Sequence, residues 1–387
     1  MLEDQIAKRI HEISPFYVME LLQRAKQLEA QGKNIIHMEI GEPDFATPQP
    51  IIDAGIKHLQ TGQVKYTAAA GLPELREKIA DFYRQRYGVS VAKHRIFITP
   101  GASGALLLAL GVSLNPGEEL LMADPCYPCN SNFASLFAGK AKTIPVDAQT
   151  QYQITADLIQ LHWTKNTRGA LIASPSNPTG TLISSLDLQQ AVHAVTELGG
   201  CFYSDEIYHG LVYGAQASTA LEFSDNVFVI NSFSKYFGMT GWRVGWLVVP
   251  DAYVEATEKL AQNIFIATST LSQYAALAAF EPSTIDLLEL RRHEFEQRRD
   301  FLYQRLLALG FDCPVKPEGA FYIYANCSKF TDDSFKFALD FLETEGVAIT
   351  PGKDFGNYHA EQHIRFAYTT AIENLRIAME RLEKFIT

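Results

Sequence analysis

The segment VFVINSFSKYFGMTGWRVGW, residues 227–246, ends a run of β-type apolar residues in Ser232, Ser234 and Lys235. Eight positions after the lysine comes Arg243, flanked by Gly241 and Gly245. An amine at the end of a buried strand, with hydroxyls before it and a guanidinium after it, can hold an anion and react with a carbonyl. A single lysine is usually a solvated surface charge, so its company decides. Three further apolar runs also end in polar clusters: RIFIT leads into PGASGA, GALIASP into SNPTG with Asn177, and GCFYSDE into Asp205 and then Tyr208. In a parallel sheet the carboxyl ends of the strands share one edge, and ligands bind in the crevice there. The pattern therefore predicts four clusters meeting at one site.

Each cluster has a chemical use. In PGASG the glycines let the backbone approach an anion, and the motif presents the free N–H groups and positive dipole of a helix expected to start near Ser103. The motif lacks GK[ST] and lacks G-x-G-x-x-G, so neither a nucleotide P-loop nor a dinucleotide site is indicated. Arg243 and the Ser232 hydroxyl can complete a dianion site. Lys235 beside such a phosphate site, with a carboxylate at Asp205, suggests pyridoxal 5'-phosphate. Lysine forms a Schiff base with that aldehyde, and an acidic residue keeps the ring nitrogen protonated. Asn177 and Tyr208 suit the ring's phenolic oxygen, and Tyr127 in DPCYP suits its face. Singly, Gly101 could be a turn glycine, Arg243 a surface charge and Tyr127 a core aromatic; their convergence favours the site.

The elements that must carry these groups follow from periodicity. Short β-rich runs (RIFIT, ELLMADP, KTIPV, GALIASP, GCFYSDE, VFVINS, VGWLVVP) alternate with helix-period segments such as LPELREKIADFYRQRYG. In the latter Leu72, Leu75, Ile79 and Phe82 share a face and Gly88 is a stop. That alternation predicts an α/β domain whose sheet is mainly parallel. After about residue 283 a long charged helix candidate precedes AFYIYAN, VAIT, IRFAY and a final helix from Ala371, the texture of a smaller α+β domain. The expected division is a large cofactor-binding domain, 48–283, and a small domain formed by 1–47 and 284–387 that closes over the substrate.

With 387 residues and 47% apolar content the chain suits two packed domains rather than disorder. Net charge of −11 with no basic run argues against nucleic acid. The longest apolar stretch, GALLLALGVSL, falls short of the roughly 18 residues a membrane span needs, and the N-terminus has no leader-like apolar core, so a cytoplasmic protein is expected. Five cysteines point to reduced thiols; CYPC at Cys126–Cys129 matches C-x-x-C, but the flanking prolines speak against redox use. His359 and His363 have metal-like spacing without a third ligand nearby, so no metal is expected.

Taken in order, GEPDF (41–45), KYTAAAGLPELR around Tyr66, PGASGA, DPCYP, SPSNPTG, SDEIY, SFSKYFGMTGWRVGW and IRFAY resemble the fold-type I, pyridoxal-phosphate-dependent class I aminotransferases, the aspartate aminotransferase superfamily. The likeness covers nearly the whole chain, and S-x-S-K with G-x-R-x-G is its most specific part. It implies Lys235 as Schiff-base residue and proton shuttle, Asp205 at the ring nitrogen, Asn177 and Tyr208 at the phenolic oxygen, and Tyr127 as the stacking ring. It also implies Ala102, Ser103, Ser232 and Arg243 around the phosphate, Arg365 on the substrate α-carboxylate and Gly41 in the closing segment. Tyr66 would reach the phosphate of the other subunit in a homodimer with composite sites. The implied reaction moves an amino group from an L-amino acid to a 2-oxo acid, 2-oxoglutarate by expectation. A carbon–sulfur β-lyase shares the same parts and is the alternative; a non-enzymatic pyridoxal-phosphate-binding regulator is a second, disfavoured because no winged-helix-sized or basic segment precedes the domain. Dicarboxylate-preferring relatives carry lysine where this chain has Ser103, which points to a neutral or broad amino donor.

Overall fold

The computed structural model describes residues 6–13 and 16–387. Its strands, numbered in chain order, form three sheets. The largest has the order β2 (Ile96–Thr99), β8 (Gly245–Val248), β7 (Val227–Ser232), β6 (Cys201–Asp205), β5 (Thr167–Ala173), β3 (Glu119–Asp124) and β4 (Lys140–Pro145). Neighbours from β7 to β4 run parallel, whereas β8 is antiparallel to both β7 and β2. The expected mainly parallel α/β architecture is therefore present, with one reversed strand.

Strand periodicity explains the two apolar cores. Side chains of a strand alternate between faces, and Val227, Val229, Trp246 and Val248 enter one cluster while Phe228, Ile230 and Leu247 enter the other. Both faces are covered by helices, so these strands read as continuous apolar runs instead of alternating ones. The amphipathic helix expected around residue 79 spans Pro73–Tyr87, buries Leu75, Ile79 and Tyr83, and stops at Gly88 with φ +70°. Glycine takes that left-handed conformation without a Cβ clash.

The C-terminal part builds an antiparallel sheet of β11 (Thr350–Pro351), β12 (His363–Ala367) and β9 (Tyr322–Asn326). A two-residue pairing of β1 (Ile36–His37) with β10 (Val347–Ala348) ties the N-terminal part to it. The long helix Pro282–Leu309, ended by Gly310 at φ +93°, and the last helix Ile372–Ile386 match the sequence periods. Among the described residues, no helix is long and apolar enough to cross a membrane.

Candidate active site

Sheet direction assembles the cleft. Strands β5, β6 and β7 end at Ala173, Asp205 and Ser232. Gly245, the first residue of reversed β8, pairs with both Ser232 and Thr99, so the start of β8 meets the carboxyl ends of β7 and β2. Arg243, two residues upstream, is thereby brought against Gly101. A Cβ at Gly101 would lie 2.6 Å from Arg243 Nη2, and one at Gly245 would lie 2.8 Å from the Gly101 carbonyl carbon. Both glycines are required by close approach. The helix after β2 spans Gly101–Gly111, starting two residues before the expected position, and Gly101, directly after Pro100, adopts φ +70°.

A cavity of about 340 Å³ opens at this edge and is lined by Ala102, Ser103, Tyr127, Asn177, Asp205, Tyr208, Lys235, Arg243, Arg365 and Gly41. Ten of the twelve residues singled out from the sequence thus share one cavity. Ser232 stands one layer behind: its hydroxyl donates to Ser234 Oγ at 2.9 Å and to Val244 O at 3.2 Å, while Ser234 itself lines the wall. Tyr66 lies outside the cavity, 80% exposed.

Lys235 Nζ donates to Gly41 O at 2.5 Å and sits 5.9 Å above the Tyr208 ring. Burial lowers the amine to about 8, helped by Arg365 and Arg243 and opposed by Glu42 and Asp205. Asp205 is buried and accepts from Ile207 N at 3.2 Å; burial raises its carboxyl to about 6 against that bond and the lysine charge. Arg365, on β12 opposite Tyr324, donates from Nη1 to Asn177 Oδ1 at 3.0 Å and from Nη2 to Thr350 Oγ1 at 3.1 Å and to Glu39 O, while its buried Nε has no protein partner.

Two contributors were not singled out from the sequence. Tyr322, on β9, is hydrogen-bonded to Tyr208 at 2.8 Å between hydroxyls and lies 4.3 Å beneath the Arg365 guanidinium. It also accounts for Gly41, since a Cβ there would fall 2.1 Å from the Tyr322 hydroxyl. Nothing local in AFYIYAN marks this tyrosine apart from its strand neighbours. The second is the start of the helix Tyr17–Ala30, whose Val18, Met19 and Leu22 face the cavity together with Phe16.

Cys126 and Cys129 are both free, the latter opening the helix Cys129–Leu136. Burial pushes the Cys126 thiol up to about 12 and raises Cys129 too, away from thiolate reactivity. His363 is hydrogen-bonded through Nδ1 to His359 O at 2.8 Å and stacks on Tyr324. Among the described residues no three His, Cys, Asp or Glu side chains cluster as a metal site.

The donor set fits pyridoxal phosphate. A buried carboxylate suits a cationic ring nitrogen, the lysine amine lies in the same cavity, and the Gly101–Arg243 contact leaves a side-chain-free cradle at a helix start for a phosphate. Comparison with known proteins agrees. The sequence-family profile described as "Aminotransferase class I and II" matches residues 33–382. The chain is 38% identical to a (5-formylfuran-3-yl)methyl phosphate transaminase from Methanocaldococcus jannaschii, over 98% of this chain and 99% of the relative. It is 36% identical to a valine–pyruvate aminotransferase from Mycobacterium tuberculosis, over 100% and 99%. A crystal structure of an aminotransferase from Mycobacterium tuberculosis superposes with a TM-score of 0.95 at 35% identity, covering 98% of each chain.

Proposed function

Because the chain belongs to the class I and II aminotransferases, whose members use pyridoxal phosphate, we propose that its cavity binds that cofactor through Lys235, Asp205, Asn177, Tyr208, Tyr127, Ala102, Ser103, Ser232 and Arg243. The enzyme transfers the amino group of an amino acid to a 2-oxo acid. The observation that carries the assignment of roles is the meeting of the Lys235 amine, the Asp205 carboxylate and the Arg365 guanidinium in one cavity.

When bound, the cofactor supplies a cationic ring that takes up electrons released at the substrate α-carbon. Lys235, with its amine lowered to about 8, carries a neutral fraction near pH 7, so Nζ can bond the cofactor and later take the α-proton. Asp205 holds negative charge where the ring nitrogen is to remain protonated. Burial raises Tyr208 well above its ordinary value, so its hydroxyl stays a donor, oriented by Tyr322. Arg365 offers its fork to the substrate carboxylate, and Tyr322 beneath it keeps the guanidinium plane fixed. Gly41 O, now the acceptor of the Lys235 amine, belongs to the segment that would close over the substrate.

The reading further takes residues 48–283 as the cofactor-bearing domain and 1–47 with 284–387 as the domain that closes on it. It takes 2-oxoglutarate as acceptor, a neutral amino donor, a homodimer with Tyr66 serving the partner's phosphate, and a cytoplasmic location. A relative named for valine and pyruvate supports the neutral donor, and five free cysteines support a reducing compartment. The test is a screen of L-amino acids with and without 2-oxoglutarate. Keto-acid-dependent amino-acid formation is expected; pyruvate and ammonia from a cysteine conjugate without any keto acid would overturn the transfer reading.

A further inference from the structure

After β6 the chain enters a turn whose side chains part to two sides. Asp205, Ile207 and Tyr208 line the cavity. Glu206 and His209 are not among its lining residues, yet they are 1% and 4% exposed. A carboxyl and an imidazole buried to that degree need partners. Glu206 Oε1 accepts from Ser204 Oγ at 2.9 Å, from Thr219 Oγ1 at 2.9 Å and from Ala220 N at 3.0 Å. Its Oε2, without a hydrogen-bond partner, lies 3.5 Å from His209 Nδ1. The same Nδ1 is 2.8 Å from the Tyr87 hydroxyl, at the end of the helix Pro73–Tyr87. A buried polar chain thus ties the turn to a loop on one side and a helix on the other.

The chain holds the backbone that carries two cofactor-facing groups. Ile207 N, the donor to Asp205 Oδ1, directly follows Glu206. His209 N donates to Glu206 O at 2.9 Å, and Leu211 N to Tyr208 O at 2.9 Å. Gly210, at φ +98°, lets the end of the turn lie on Tyr236, the residue after Lys235; a Cβ there would fall 2.3 Å from Tyr236 Cγ. Asp205 and Glu206 are consecutive buried carboxyls, and two ionised ones would repel. Burial raises Glu206 to about 8 against its three donors, and burial with the Arg86 charge pushes His209 down to about 3. At neutral pH the chain carries no charge, and Asp205 is left as the anion of the turn.

We propose that Glu206, His209 and Tyr87 are positioning residues for amino transfer: their buried chain fixes the turn that aims the Asp205 carboxylate and the Tyr208 hydroxyl into the cavity. The inference rests on the roles given to those two groups under the proposed function. None of the three lines the cavity, so they act through Asp205 and Tyr208 and leave the Arg365 fork untouched.

The experiment compares Glu206→Ala, Glu206→Gln and Tyr87→Phe by turnover of the holoenzyme and by amide exchange of the cofactor-free protein. Glu206→Ala should lower kcat about 10- to 100-fold, as removal of a group that orients a reacting one does, with KM little changed because substrate binding is not touched. Glu206→Gln, uncharged and still an acceptor, should restore most of that rate. Tyr87→Phe should lower kcat about fivefold, the worth of one neutral hydrogen bond. Glu206→Ala and Tyr87→Phe should both speed exchange at Ile207 and His209. In an Asp205→Ala background Glu206→Ala should cost little further rate, since the two act as a unit. Fully multiplicative losses in that background, a Glu206→Gln enzyme as slow as Glu206→Ala, or unchanged kcat or exchange in Tyr87→Phe would each overturn the proposal. Should Glu206→Ala not fold, Tyr87→Phe decides, because it removes one oxygen at the half-buried end of the chain. Full turnover in Asp205→Ala would instead sink the roles under the proposed function, and exchange at Ile207 and His209 would still decide whether the chain holds the turn.

Discussion

At the scale of single residues the site depends on two titrations pushed in opposite directions by burial. Lys235 is lowered to about 8, whereas Asp205 is raised to about 6. Only the neutral amine reacts with an aldehyde, and a lowered value makes that form dominant at lower pH. The rate at which cofactor-free protein takes up pyridoxal phosphate should therefore climb with pH through about 8 and then level. A midpoint near the solvated lysine value of about 10.4 would show that the amine is not buried in this way. Lys235→Ala should lose both the covalent chromophore and α-proton exchange; a Lys235→Ala protein that still turns over would end the assignment. Asp205→Ala should keep the covalent link, since Lys235 is untouched, yet lose activity by roughly a hundred- to thousandfold, comparable to removing one charge-stabilising group elsewhere. Near-normal single-turnover proton abstraction would count against it.

At the scale of elements, the start of the Tyr17–Ala30 helix owes its position to one carboxylate. Two of the helix's free N–H groups end on Asp354, and no side chain of the N-cap residue Phe16 can replace it. Losing such a cap costs about 1 kcal/mol, up to about 2. Asp354→Ala should accordingly speed amide exchange at residues 17–20 by about five- to thirtyfold, the range that energy corresponds to. Unchanged exchange there would mean that packing of Leu21, Ala25 and Leu28 alone holds the turn. The reversed strand β8 is the second element with a local consequence. Had it run parallel, its first residues, and Arg243 with them, would lie at the opposite edge from Lys235.

For the whole molecule the telling residue is Tyr66, which the protomer leaves 80% exposed and outside its own cavity. Ile56, Leu59 and Val64, close to it in sequence, are exposed too. Exposed apolar residues of this density suit a self-complementary two-fold interface. If Tyr66 serves a partner's phosphate, mixing Tyr66→Phe chains with Lys235→Ala chains should produce hybrids holding one site intact in both respects. Activity should then rise above either parent. No rise, with hybrids verified by native mass spectrometry, would assign Tyr66 to its own subunit.

The strands of the large sheet and the helices Pro73–Tyr87, Pro282–Leu309 and Ile372–Ile386 were legible from periodicity, because fully buried strands and amphipathic helices have different repeats. So was the convergence at the sheet edge, because strands β5, β6 and β7 each end in polar residues. The motif chemistry of Lys235, Asp205, Asn177, Tyr208 and Arg243 needed only residue type and order. What the tertiary structure decided was everything carried by long-range pairing. The reversal of β8, the seating of Tyr322 under Arg365 and against Gly41, and the exchange of Ser232 for Ser234 at the wall depend on neighbours far apart in the chain. The apolar face of the Tyr17–Ala30 helix is the clearest case. Nothing in it was singled out from the sequence, and Val18, Met19 and Leu22 line the cavity where Asp354, more than three hundred residues later, accepts from the first two N–H groups of the helix.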